Sequence, residues 1–201
     1  MRWNRIKSSF FQKISPLTPR RKLGAGLLFI GIVFLGIFSL FKIYNSWQRN
    51  VLSFSELPQP VEIQEKDPNK LPQRVIIPSH KIDLAIKETE ILAGEWQVSA
   101  SGASYLVQSA LPGEKGNMII YGHNWRRLFG PLRWVKQGEE ILIKNKKGES
   151  FIYEIVETKV VSPSQVEVLL PTEEPTLTLY TCFGFLDSKR FVVVGKFKRV
   201  I

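Results

Sequence analysis

The sequence predicts a mostly β domain, a barrel or a sandwich, placed behind a single N-terminal helix that spans a membrane. Three observations carry that reading. The run Leu23–Phe41 holds 19 residues and no charge. From Gln73 onward, short runs rich in Val, Ile and Tyr alternate with turns marked by Gly, Pro and Asn, which is the pattern of closely spaced strands. Only two short stretches, Glu90–Trp96 and Gln165–Leu169, have helical character. A chain of 201 residues holds one such domain with a real core and a small appendage.

The first element is the apolar run. At a helical rise of about 1.5 Å per residue it reaches roughly 28 Å, close to the hydrocarbon thickness of a bilayer. A cleaved signal peptide would have a shorter apolar core and a small-residue cleavage site. The exit here reads "FKIYNSWQRN", which has no such site, so an uncleaved anchor over residues 23–41 is expected. Residues 1–22 carry seven basic side chains and no acid. The excess of positive charge on the cytoplasmic side keeps this tail inside and exports everything after Phe41. The same count explains the formal charge of +10, because residues 23–201 have a net charge of only +3. A nucleic-acid partner is therefore not implied by the basicity.

Residues 42–72 mix Pro58, Pro60, Pro68 and Pro72 with polar and charged residues and read as a linker. The domain of residues 73–201 then opens with the strand candidates "RVIIP" and "KIDLAI". "ASYLVQSA" and "NMIIYGH" follow, separated by the turn "LPGEKG". "EEILIKN" and "ESFIYEIVETKVV" meet at "KKG" in hairpin fashion, and "TLTLYTC" and "RFVVVGKF" close the series.

Export gives weight to the single cysteine, Cys182. It cannot form an internal disulfide, so it is a buried apolar filler, a link to a second chain or a nucleophile. Period-2 alternation puts Thr178, Tyr180 and Cys182 on one face of their strand and Leu177, Leu179 and Thr181 on the other. The short loop "FGFLDSK" makes the next strand an antiparallel neighbour, which brings Arg190 to the same rim as Cys182. His123 ends the run "NMIIYGH"; the other histidine, His80, lies in a loop between the first two strands. Two histidines and one cysteine at scattered positions lack the paired spacing of a zinc site, and no cofactor is expected. A thiol, an imidazole and a guanidinium together supply nucleophile, acid/base and oxyanion support.

At these residues the chain resembles a known family. "TLYTC", Thr178–Cys182, is similar to the TLxTC signature of sortases, the membrane-anchored cysteine transpeptidases of Gram-positive-type cell surfaces. "GEKGNMIIYGHN" resembles the segment that bears the family's histidine, and "RFVVVGKF" resembles its final strand, which begins with the arginine. The resemblance spans about residues 73–198. It implies a closed β-barrel of about eight strands, with Cys182 as nucleophile, His123 as general acid then base, and Arg190 supporting the oxyanion or positioning substrate. Thr181 and Tyr180 would line the groove for the substrate. The implied reaction cleaves an LPxTG-like sorting signal on exported proteins, holds a thioacyl-enzyme and passes the acyl group to an amine acceptor at the cell surface.

The sequence also departs from family patterns. Tyr180 is bulkier than the small aliphatic residue common inside TLxTC. The loop "SPSQVEVLLPTEEP" shows no acidic set like the calcium site of some sortases, and Asp67–Asn69 lacks the aromatic residue of a pilin-type lid. The subfamily stays open. Two other functions stay open with it: a membrane-anchored cysteine peptidase that lets water resolve the intermediate, and a non-catalytic β-domain in which Cys182 is core filler.

Overall fold

The computed structural model describes residues 19–48, 54, 66–92 and 95–201. The tail before residue 19 and most of the expected linker lie outside them. Helix α1 runs Pro19–Gln48, and its stretch Gly26–Ile43 is long and apolar enough to cross a membrane. The chain divides into two compact units, one ending at Tyr44 and the other beginning at Asn45.

Among the described residues the second unit contains ten strands. They are β1 (Pro72–Ile77), β2 (Ile82–Thr89), β3 (Ile91–Leu92), β4 (Glu95–Trp96) and β5 (Ala103–Leu106), then β6 (Asn117–Gly122), β7 (Glu140–Asn145), β8 (Ser150–Val161), β9 (Thr176–Phe183) and β10 (Lys189–Val200). Eight of them close a barrel in the order β1-β2-β5-β6-β9-β10-β8-β7, with β7 pairing back on β1. Of the two architectures left open by strand pattern, the barrel is the one adopted. Closure leaves none of the eight barrel strands at an edge, which removes the hazard of an exposed edge strand there.

Two pairings in this barrel are parallel, β2 with β5 and β6 with β9; the rest are antiparallel. The β6–β9 pair decides where the site forms. Parallel strands end at the same rim, so the C-terminal ends of β6 and β9 lie side by side, with Gly122 opposite Thr181. Strand β10 starts at that rim and runs back antiparallel to β9, with Arg190 opposite Cys182.

The expected alternation along β9 is realised. Leu177 and Leu179 point into the main core with Ile120, Phe129 and Val193, while Tyr180 and Cys182 belong to a second cluster with Ile119, Tyr121 and Val192. Burying each such large side chain is worth roughly 1.5–3 kcal/mol. Phe54 and Trp96 join the second cluster: the Phe54 ring meets Tyr180 edge-on at 5.0 Å, and Tyr121 stacks on Tyr180 at 5.2 Å.

The helical character expected at Glu90–Trp96 is not found. The described residues pair instead as a two-stranded ribbon, Ile91 with Trp96 and Leu92 with Glu95. Trp96 is buried edge-on against Tyr121 and Tyr180, a contact that an isolated helical turn of this length could not offset. The second helical stretch is present as a short 3-10 turn, Val166–Leu169.

Candidate active site

Strand β9 is buried along its length until Phe183, so Cys182 is held by a strand packed on both faces. Its side chain is 7% exposed and opens on a cleft of about 320 Å³ lined by Asn124, Gly130, Arg133, Thr181, Cys182, Phe183 and Gly184. Thr181 donates its hydroxyl hydrogen to the Gly122 carbonyl at 2.7 Å, tying the ends of β6 and β9 together beneath the cleft. Tyr180 is fully buried under Phe54 and Trp96.

His123 follows Gly122 directly, one residue beyond the β6–β9 register. Its loop is closed tightly: Phe129 N–H donates to the His123 carbonyl at 3.0 Å, and Leu128 and Gly130 N–H both donate to the Trp125 carbonyl at 2.9 Å. Gly130 permits this closure, because a Cβ there would lie 2.7 Å from the carbonyl oxygens of Asn124 and Trp125. The imidazole lies flat on the Trp125 ring, with centroids 4.4 Å apart and planes 7° from parallel.

Arg190 is 5% exposed. Its Nη1 donates to the carbonyls of Asp187 at 2.8 Å and Lys189 at 2.9 Å, which fixes the plane of the guanidinium. Between β9 and β10, Phe185–Asp187 form a 3-10 turn in which Leu186 and Asp187 take left-handed φ values of 52° and 58°. The Asp187 carboxylate accepts a hydrogen bond from Asn124 Nδ2 at 2.9 Å.

The electrostatics follow from this packing. Burial pushes the Cys182 thiol up to about 12, against the pull of the Arg190 guanidinium and with a smaller push from Asp187. Burial lowers the pKa of His123, and the Asp187 carboxylate partly opposes that shift. At neutral pH the thiol and imidazole are therefore both uncharged at rest.

His80, the other histidine, lies in the turn Pro78–His80 with its Nε2 2.8 Å from Glu139 Oε2. Ser79 donates to the same carboxylate oxygen at 3.0 Å, so this group pins the β1–β2 turn and has no member among the cleft-lining residues. Among the described residues no cluster of His, Cys, Asp and Glu could hold a metal ion. Sequence pattern did not single out Asn124, Trp125, Arg133 or Asp187. The adjacency of Asn124 and Trp125 to His123 was the available signal for two of them, and Asp187 carries none until the loop is folded.

The sortase domain model matches residues 75–198, more than half of the chain. The chain belongs to the sortase family. Among curated sortases it is 35% identical to sortase A of Listeria monocytogenes over 89 residues, covering 42% of this chain and 40% of that protein. It is 31% identical to the putative sortase YwpE of Bacillus subtilis over 86 residues, covering 41% of this chain and 83% of that one. The solved structure of Listeria monocytogenes sortase A superposes with a TM-score of 0.54 at 25% identity, over 66% of this chain and 89% of that one. A Clostridium perfringens sortase D5 transpeptidase gives 0.54 at 27% identity, over 69% and 83%. The pilus-related sortase C of Group B Streptococcus gives 0.57 at 24% identity, over 81% and 87%, a likeness of fold. Sortases are transpeptidases, and the eight-stranded closed barrel of this chain is the sortase fold.

Proposed function

We propose that this sortase is a cysteine transpeptidase in which Cys182 is the nucleophile, His123 the acid/base and Arg190 the oxyanion or positioning group. One observation supports this most: the register sets Arg190 level with Cys182, and His123 follows directly on the end of β6 at the same rim, where the cleft beside Cys182 opens, though neither His123 nor Arg190 is among the residues that line it.

The chemistry runs from the neutral pair. His123 takes the thiol proton, and the thiolate attacks the carbonyl carbon of the scissile peptide bond. The C–S bond forms as the carbonyl π pair moves to oxygen, and the Arg190 charge stabilises that oxyanion. The imidazolium then protonates the leaving amine, the C–N bond breaks, and a thioester remains on Cys182. An acceptor amine attacks the thioester, losing its proton to His123. Collapse expels the thiolate, which recovers its proton from the imidazolium. The substrate in this reading is an exported protein with an LPxTG-like signal, and the acceptor is an amine of a cell-wall precursor or another protein. Thr181, which lines the cleft, shapes the groove directly, and Tyr180, fully buried against Tyr121 and Trp96, backs the strand that carries Cys182. Helix α1 holds the enzyme to the membrane, with the tail cytoplasmic and the barrel outside.

The test uses the full chain in detergent with an LPxTG-like peptide. Mass spectrometry is expected to show an acyl adduct on Cys182, converted to a joined product by a glycine- or lysine-type amine. Cys182→Ala and His123→Ala are expected to abolish turnover with the fold intact. Arg190→Lys is expected to lose about 10²–10³ in rate, as when one oxyanion donor is removed, since an ammonium cannot reproduce the planar fork. Water outcompeting every amine would replace the transpeptidase by a peptidase, and full activity in Cys182→Ala would remove the catalytic assignment.

A further inference from the structure

The loop between β9 and β10 contains a residue outside the three reacting groups that is bonded toward two of them. The carboxylate of Asp187 accepts from Asn124, the residue after His123, and its backbone carbonyl accepts from Arg190. These bonds join segments far apart in the chain, since Asn124 follows β6 and Asp187 precedes β10. Strand pairing fixes the backbone at this rim, but it does not fix where an imidazole at a strand end or a long guanidinium arm points. Left-handed backbone at two successive non-glycine residues, Leu186 and Asp187, is retained where surrounding contacts over-determine it, and such positions cluster at functional sites.

We propose that Asp187 is a positioning residue of the sortase reaction: its side chain holds the His123 loop through Asn124 while its carbonyl orients Arg190, so both groups are presented to Cys182 in one arrangement. The proposal rests on the catalytic reading of Cys182, His123 and Arg190. Its charge adds a second effect. The Asp187 carboxylate from the β9–β10 loop acts on both His123 and Cys182, the Arg190 guanidinium from β10 acts on Cys182, and the buried Tyr180 phenol on β9, which burial keeps protonated, is coupled to the same thiol. Arg133 lines the cleft from the turn after the His123 loop, and Arg127 lies over the far partner of the imidazole, Trp125, at 5.4 Å. Among these, the carboxylate is the one negative charge, favouring a protonated imidazole and opposing the thiolate.

Bond and charge are separable by substitution. Asn124→Ala removes the hydrogen bond and keeps the charge. Asp187→Asn keeps an acceptor oxygen for Asn124, tolerates the left-handed backbone and removes the charge. Asp187→Ala removes both. In the full chain acting on an LPxTG-like peptide, Asn124→Ala and Asp187→Ala are each expected to lower kcat about a hundredfold, as misplacement of a reacting group does, with KM unchanged. The double variant is expected to lose no more than the worse single one, because both remove the same bond. Asp187→Asn is expected to retain most of kcat while both limbs of its pH–rate profile move to lower pH, the imidazole having lost a charge that favoured its proton and the thiol a charge that opposed its ionisation. Melting temperatures measured alongside separate positioning from folding. Wild-type kcat and an unshifted profile in Asp187→Ala and Asp187→Asn, while the parent enzyme forms its Cys182 adduct, overturn the proposal and leave the catalytic reading standing. Loss of activity that tracks lost folding in Asp187→Ala, with an unshifted profile in Asp187→Asn, overturns it as well. A parent enzyme that forms no adduct tells against the catalytic reading itself.

Discussion

In the proposed reaction the Cys182 thiol, pushed up to about 12, and the His123 imidazole, pushed down, start from their neutral forms near pH 7. The thiolate–imidazolium form that the proposed reaction uses has the same proton count and is a minor tautomer of that neutral one. The pH–rate curve is therefore expected to be a broad bell whose two apparent pKa values belong to the coupled pair. Its acid limb should lie below the ordinary histidine value of about 6.5, since below it an extra proton puts the thiol out of use. Its alkaline limb should lie well above the ordinary cysteine value of about 8.5. Alkylation of Cys182 by iodoacetamide in the absence of peptide should rise with pH through the same high range. A plateau of alkylation already reached at pH 7 would show a stable ion pair and refute the neutral resting state. The proximity of Cys182 and Arg190 was legible in the sequence, because the two flank a loop too short for anything except an antiparallel return. The stacking of His123 on Trp125 was not, since nothing in "GHNW" states which way either ring turns.

At the scale of elements, the decisive contact is the parallel pairing of β6 with β9, and that contact crosses a long stretch of chain. Hairpins such as β7–β8 announce themselves through a turn like "KKG", whereas a parallel neighbour leaves no local mark. The reading of Glu90–Trp96 failed for a related reason: burial of Trp96 over Tyr121 and Tyr180 outweighs the local preference of a seven-residue segment. The loop that carries His123 depends on one small residue within it. A methyl group on Gly130 would meet two carbonyl oxygens and the Trp125 backbone carbon within 3 Å, and those atoms have no flexible end to move. Gly130→Ala is expected to open the loop and shift His123 away from the rim. A loss of kcat is expected even where the barrel remains folded, because the strands of the barrel do not include residue 130. Circular dichroism and melting temperature, compared with single-turnover formation of the Cys182 adduct, check this. Adduct formation at the parent rate in a folded Gly130→Ala variant would show that the tight closure does not set the position of His123.

For the whole molecule, the lone cysteine and the N-terminal helix bear on one another. A free thiol outside the cytoplasm is exposed to oxidants, and susceptibility follows thiolate character and exposure. Cys182 is 7% exposed and held as a thiol, so with Cys182 as the proposed nucleophile the enzyme can reside in an oxidising compartment without a second cysteine to protect it. In the proposed topology the barrel lies on the outer side, the placement that the charge distribution favours. Residues 1–22 carry +7 and the remaining chain a net +3, so the basic excess is concentrated on one side of the apolar stretch. Holding that tail in the cytoplasm is the outcome favoured by the positive-inside bias. With an epitope at each end of the full chain, protease added to intact cells is expected to destroy the C-terminal epitope and spare the N-terminal one. The surviving fragment should contain the tail and helix α1 and should become sensitive only after the cells are permeabilised. Destruction of the N-terminal epitope on intact cells would reverse the orientation. A mature chain that begins after Phe41 and leaves the cells would show instead that the apolar stretch is removed during export.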